Sequence, residues 1–219
     1  RHGSLPLPLC VIPSYHKIFR PATWYDRPAA GQTGLRKGGG SGLSLLLWTF
    51  WTYSFFGYLL ERGYAAATRA AQPPGKGFLL LPLCPVYGLG ALAVLALPPA
   101  LTDGFWSLAL WGGLTATAVE YGVHLLYDRL LGVRFWDYSR LPGNFQGRVC
   151  LPFSLAWGLL TGAALPPVQR ALGPVLAAIP PAVTYAVLLV FTADAVVSLR
   201  LLRRAGDPGI LSLRALGRA

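Results

Sequence analysis

The sequence predicts an all-α membrane protein of five transmembrane helices, the second kinked or broken, and three observations carry that reading. Apolar residues fill 54% of the 219 positions and charged residues 12%. A soluble domain is about one-quarter charged, so this chain has too little charge to cover a water-facing surface. Uncharged runs recur at the length a bilayer demands, about 20 residues at ~1.5 Å each. The 19 Lys and Arg outnumber the eight Asp and Glu, giving +11, and cluster between the runs and in the tail. That distribution marks cytoplasmic loops of a chain partnered by the lipid bilayer, and no nucleic-acid partner is expected.

Residues 1–42 begin without Met, carry Pro6, Pro8, Pro13, Pro21 and Pro28, and close on the glycine-rich run before Leu43. They are expected to be disordered or a mis-assigned start. No signal-peptide layout occurs in them. The transmembrane domain is expected over 43–200, followed by a basic cytoplasmic tail over 201–219.

The first span is expected over about 43–61, ending at Glu61-Arg62 before a short basic loop with Arg69 and Lys76. The second, about 78–100, holds Pro82, Pro85, Gly88 and Gly90 in its first half, where an unbroken helix does not tolerate them. Non-helical backbone at membrane depth survives only against protein or a water-filled cavity, so this break should face inward. The third span is expected over about 105–131, and the fourth over about 149–167, closing at Pro166-Pro167. The fifth is expected over about 172–199, kinked at Pro180-Pro181, with Asp194 near its end. Arg62, Arg69, Lys76, Arg129, Arg134, Arg140, Arg148 and the tail arginines share one side, against Arg170 on the other. The positive-inside rule then puts the C-terminus in the cytoplasm and the N-terminus outside, with Arg36 and Lys37 as a weak contrary vote.

Glu120, His124 and Asp128 recur at i, i+4 and i+8, with Tyr121 and Tyr127 beside them, and form one stripe on a helix. Glu120 lies about 13 Å inward from Arg129. A bare charge at that depth costs at least about 2.5 kcal/mol. The stripe therefore reads either as a relay from Glu120 through His124 to Asp128 or as structural glue, with Glu120 bonded to Thr52, Tyr53 or Ser54 of the first span. Glu61 and Asp128, beside Arg62 and Arg129, read as interfacial acids completing a candidate intramembrane polar site.

The loop after the third span, Arg134 to Phe145, mixes aromatic residues with turn formers. It reads as an aromatic belt or as a cap whose Asp137, Asn144 and Arg148 approach Glu61 and the broken span. Residues 81–89, LPLCPVYGL, and 151–159, LPFSLAWGL, share one frame. Leu60-Glu61-Arg62 upstream is matched by Tyr127-Asp128-Arg129, and Leu97-Pro98-Pro99 downstream by Leu165-Pro166-Pro167. These matches read as a parallel two-span repeat plus one extra helix, against a chance recurrence of common residues.

Cys10, Cys84 and Cys150 form no CxxC pair, and His2, His16 and His124 are scattered, so no metal, cofactor or disulfide framework is expected. Cys84 and Cys150 are expected as small buried residues. No Walker A loop, nucleophile elbow or HExxH occurs, so the chain is not expected to be an enzyme, and ATP hydrolysis would belong to a partner.

One set of separated motifs resembles a known family. It comprises Pro82, Cys84, Pro85, Tyr87 and Gly88; Glu120-Tyr121; Trp136, Asp137, Tyr138 and Ser139; Asn144; Gly147-Arg148; Cys150; and Ser154 with Trp157. Together, over about residues 45–200, these resemble small bacterial multispanning proteins of the “putative ABC-transporter type IV” class. Leu80-Leu81 stands where a polar-Gly pair is usual, and Asp128 where Glu is usual. The resemblance implies a permease-type subunit working with a separate ATPase, substrate unspecified. The residues alone leave open an intramembrane lipid-modifying enzyme and a non-catalytic scaffold or sensor.

Overall fold

The computed structural model describes residues 42–68 and 77–211. Most of the N-terminal segment, the basic loop at Arg69 and Lys76, and the end of the tail lie outside the described residues. Those described are helical, with no strand beyond a single bridge pairing Phe145 and Val149. Five helices follow in order: α1 Gly42–Thr68, α2 Pro85–Leu95, α3 Phe105–Leu131, α4 Leu151–Ala177 and α5 Pro181–Ala205.

Three of these, α1, α4 and α5, are long and apolar enough to cross a membrane. α3 has 27 residues, but it carries Glu120, His124, Asp128 and several Gly and Thr and falls outside that class. α2 has 11 residues. At 1.5 Å per residue it reaches about 16 Å, roughly half a hydrocarbon core.

The shortness of α2 follows from its prolines. Pro85 sits in the first helical turn behind the extended N-cap Cys84, where a missing N–H is harmless. Pro82 bars the α conformation from the residue before it, so the chain from Gly77 to Cys84 stays non-helical. Its backbone donors find partners on neighbouring helices. Leu80 N–H donates to Ser198 Oγ at 3.2 Å, Leu81 N–H to Asp194 Oδ2 at 3.3 Å, and Cys84 N–H to the Ser54 carbonyl at 2.9 Å.

Several expected boundaries move: α1 continues past Glu61 to Thr68, and α2 covers less than the expected 78–100. The helix holding the fourth span does not close at Pro166-Pro167 but continues to Ala177. A π-turn at Leu160–Ala164 widens the helix just before the prolines, so their missing N–H groups fall where the regular ladder is already interrupted. The real break is at Pro180, which caps α5, so Pro180-Pro181 is a helix start rather than a kink. The tail also begins later than residue 201. α5 runs to Ala205 with Arg203 and Arg204 in its last turn, where cations suit the helix dipole. A short 3-10 turn, Pro208–Leu211, then returns Leu211 to a buried cluster with Val133 and Leu202.

Packing between the helices is close where residues are small. Gly88 of α2 faces the Phe50 carbonyl and Ser54 of α1, and Gly158 of α4 faces Gly113 and the Ala109 carbonyl of α3. Such small-residue contacts let helix backbones approach in a membrane. α5 leans on α1 through a 2.6 Å hydrogen bond between Ser44 and Thr184 and an edge-on Phe50–Phe191 contact at 5.7 Å.

Candidate functional site

Glu120 is the deepest acid of α3, 4% exposed, and both its oxygens are engaged. Oε1 accepts from the Tyr138 hydroxyl at 3.0 Å, and Oε2 from the Trp157 indole N–H at 2.9 Å. Tyr138 comes from the segment linking α3 to α4, and Trp157 from α4. One carboxylate thus ties three parts of the chain together. The hydroxyls of α1 are not its partners: Tyr53 donates instead to Gln169 of α4 at 3.1 Å, and the Ser54 hydroxyl lies against Gly88.

A second acid faces the same region. Glu61 of α1 accepts from the Cys84 thiol at 3.2 Å, one turn of chain before Tyr87. Tyr87 lies within electrostatic reach of both acids and packs on Trp157 at 4.9 Å between ring centroids. Burial, and then the Glu120 carboxylate beside it, push the Tyr138 hydroxyl well above the ordinary phenol range. Its ring stacks on Phe153 at 5.0 Å.

The rest of the α3 stripe is divided among other partners. His124 is buried, and its Nε2 meets the Trp136 carbonyl at 3.0 Å. A carbonyl only accepts, so this nitrogen is assigned the proton. Asp128, two turns from Glu120, pairs with Arg134 and Arg148, each at 3.1 Å. The Tyr121 hydroxyl donates to Gln146 at 2.9 Å, and the Arg148 guanidinium bonds Gln146 and lies over the Tyr121 ring. The spacing that put three ionisable groups on one stripe therefore gives each its own neighbours.

The 132–150 segment is bonded largely to itself. Ser139 donates its N–H to Asp137 Oδ1 at 2.9 Å and its hydroxyl to the same oxygen. These bonds hold the Asp137 carboxyl below the usual aspartate range. Asn144 donates to the carbonyls of Ser139 and Leu141 and accepts from Gly147 N–H. Gly147 has φ +67°, and a Cβ there would strike Ser139 and Asp137. Asp137, Asn144 and Arg148 thus close the segment and clamp α3 rather than approach Glu61. Pro82 is exposed and Pro85 buried at the break, and Ser154 lies in the first turn of α4, its N–H on the Cys150 carbonyl at 3.0 Å.

Sequence reasoning missed Gln146, Phe153, Ser198 and Gln169. The one signal for Ser198 was a polar residue within the apolar run before Arg200, and Gln169, beside Arg170, carried none. Among the described residues no group of three His, Cys, Asp or Glu could hold a metal ion.

The family model described as “Putative ABC-transporter type IV” matches residues 48–199, from the second turn of α1 to near the end of α5. No curated protein and no solved structure matches the chain.

Proposed function

Because the chain belongs to the “Putative ABC-transporter type IV” family, we propose that it is a permease-type subunit of a membrane transport system, with its polar centre at Glu120. The broken segment and α2 then count with α3 as crossings, giving five. The arginine-rich connections and the C-terminus face the cytoplasm, where a separate ATPase subunit docks. One observation carries the reading: a carboxylate 4% exposed in the middle of α3 is bonded at once to α4 and to the α3–α4 segment. An ionisable group at that depth is retained at a cost, and it couples the membrane interior to the segment a partner would touch.

The test is purification of the tagged chain from its native membranes, alongside a transport phenotype for Glu120→Gln. A co-purifying ATPase and at least about a tenfold loss of transport, some 1.4 kcal/mol at the rate-limiting step, are expected. A chain that purifies alone, with Glu120→Gln leaving every transport phenotype intact, ends the proposal.

A scaffold or sensor is the second reading, favoured by the bond on each Glu120 oxygen. It expects Trp157→Phe to lower stability and change no flux. The lipid-modifying alternative has less support, because His124, Asp128 and Asp137 are held apart from Glu120 by separate partners.

A further inference from the structure

We infer that α1–α2 and α3–α4 are two copies of one helix-pair unit, and that Glu61 and Glu120 are its equivalent acids, acting as one coupled pair. The inference starts from contacts that repeat at constant sequence offsets. Phe50 and Ala109, Ser54 and Gly113, Gly57 and Ala116, and Glu61 and Glu120 are each 59 positions apart. Cys84 and Ser154, Tyr87 and Trp157, and Gly88 and Gly158 are each 70 apart.

Under those two offsets the packing of one unit maps onto the other. A Cβ on Gly88 would strike the Phe50 carbonyl, and one on Gly158 would lie 2.9 Å from the Ala109 carbonyl. The N–H of Cys84 bonds the carbonyl of Ser54, while the carbonyl of Ser154 lies 3.5 Å from where a Gly113 Cβ would stand. One turn further along, Gly57 lies under the Tyr87 ring, and Ala116 is in the cluster that packs on Trp157. A further turn brings the acids themselves into correspondence, although their donors are not counterparts: Glu61 receives Cys84, whereas Glu120 receives Trp157, the counterpart of Tyr87. Tyr87 and Trp157, counterparts by this mapping, touch each other at 4.9 Å. A two-fold relation between the units would bring such counterparts together.

This register differs from the one the sequence frame suggests, which matches Glu61 with Asp128. Glu61-Arg62-Gly63 is instead matched by Glu120-Tyr121-Gly122. α5 and the 132–150 segment stand outside the duplication.

The chemical consequence is coupling. The titratable groups facing the pair are the Cys84 thiol at the N-cap of α2, Tyr87 of α2 and Tyr138 of the α3–α4 segment. The donors on the two carboxylates, a thiol, an indole and a phenol, are neutral, whereas Arg134 and Arg148 are engaged at Asp128. Two carboxylates that interact by more than about one pK unit titrate as a pair, and the Tyr87–Trp157 contact is what brings the two sites together. That both acids serve transport rests on the reading proposed above, whereas the duplication and the coupling do not.

The test is an infrared titration of the carboxyl bands of the full chain in nanodiscs, for the parent, Glu61→Gln and Glu120→Gln. Each substitution is expected to remove one acid and to move the midpoint of the other down by about one pH unit or more, since a neighbouring negative charge has gone. Midpoints that stay fixed overturn the coupling. If either Gln variant does not fold, Glu61→Asp and Glu120→Asp serve instead. Withdrawing one carboxylate by a methylene displaces the other's midpoint in a coupled pair and leaves it fixed otherwise. The duplication has its own arm: Gly88→Ala and Gly158→Ala should both lower the thermal midpoint, while Gly90→Ala and Gly122→Ala, with open space at the Cβ, should not. Tolerance of Ala at Gly88 or Gly158 overturns it. A coupled pair without any transport defect would sink the transport reading and leave the inference standing.

Discussion

At Trp157 a single indole N–H joins α4 to Glu120, and Phe removes that donor together with part of the ring that packs on Tyr87. Trp157→Phe is expected to cost about 1–2 kcal/mol, the scale of an interhelical hydrogen bond in lipid, read by reversible unfolding in mixed micelles. Tyr138→Phe should cost about as much while leaving the stack on Phe153 in place. Asp137 offers a pH reading. Its carboxyl is held below the ordinary aspartate range, so its support for the Ser139 turn is present above the unfolded value and lost as pH falls through the folded one. Amide exchange at Ser139, corrected for its intrinsic pH dependence, should therefore show the same protection at pH 7 and pH 5. Glu120, Tyr138 and Trp157 were each legible as single residues. Their pairing was not, because a helix stripe says which face an acid occupies and nothing about which distant segment folds back to meet it.

Among the elements, the stretch from Gly77 to Cys84 is the most exposed to test. The N–H groups of Leu80 and Leu81 depend on α5, where Ser198 is fully buried and Asp194 stands one turn before it. Ser198→Ala is expected to leave the Leu80 N–H without its acceptor, at roughly 1–3 kcal/mol, with faster exchange at Leu80 as the readout. The break itself was readable from Pro82 and Pro85, since the physics of proline is local. The continuation of α4 through Pro166-Pro167 was not, because the π-turn at Leu160–Ala164 that admits them leaves no mark in composition. Arg148 and Arg134 both pair with Asp128, but their side chains are 16% and 62% exposed. Arg148→Ala should therefore disturb the segment more than Arg134→Ala, whose pair is screened by water and salt.

For the whole molecule, composition was enough to give an all-helical chain built for lipid, and spaced motifs were enough to give the family that matches residues 48–199. Orientation is open to direct measurement. With the native cysteines replaced, a cysteine at Arg140 should react with an impermeant maleimide only after the cells are opened, and one at Asp103 in intact cells. The opposite pattern would invert the topology. The 132–150 segment has a further consequence at this scale. Braced internally by Asp137, Ser139, Asn144 and Gly147, it grips α3 at Glu120 through Tyr138 and at Asp128 through Arg148, about 12 Å apart along the rod. A rigid body fastened to a rod at two heights is a crank handle. Whatever turns that segment turns α3 with it, and carries both ends of the acid stripe through the same angle.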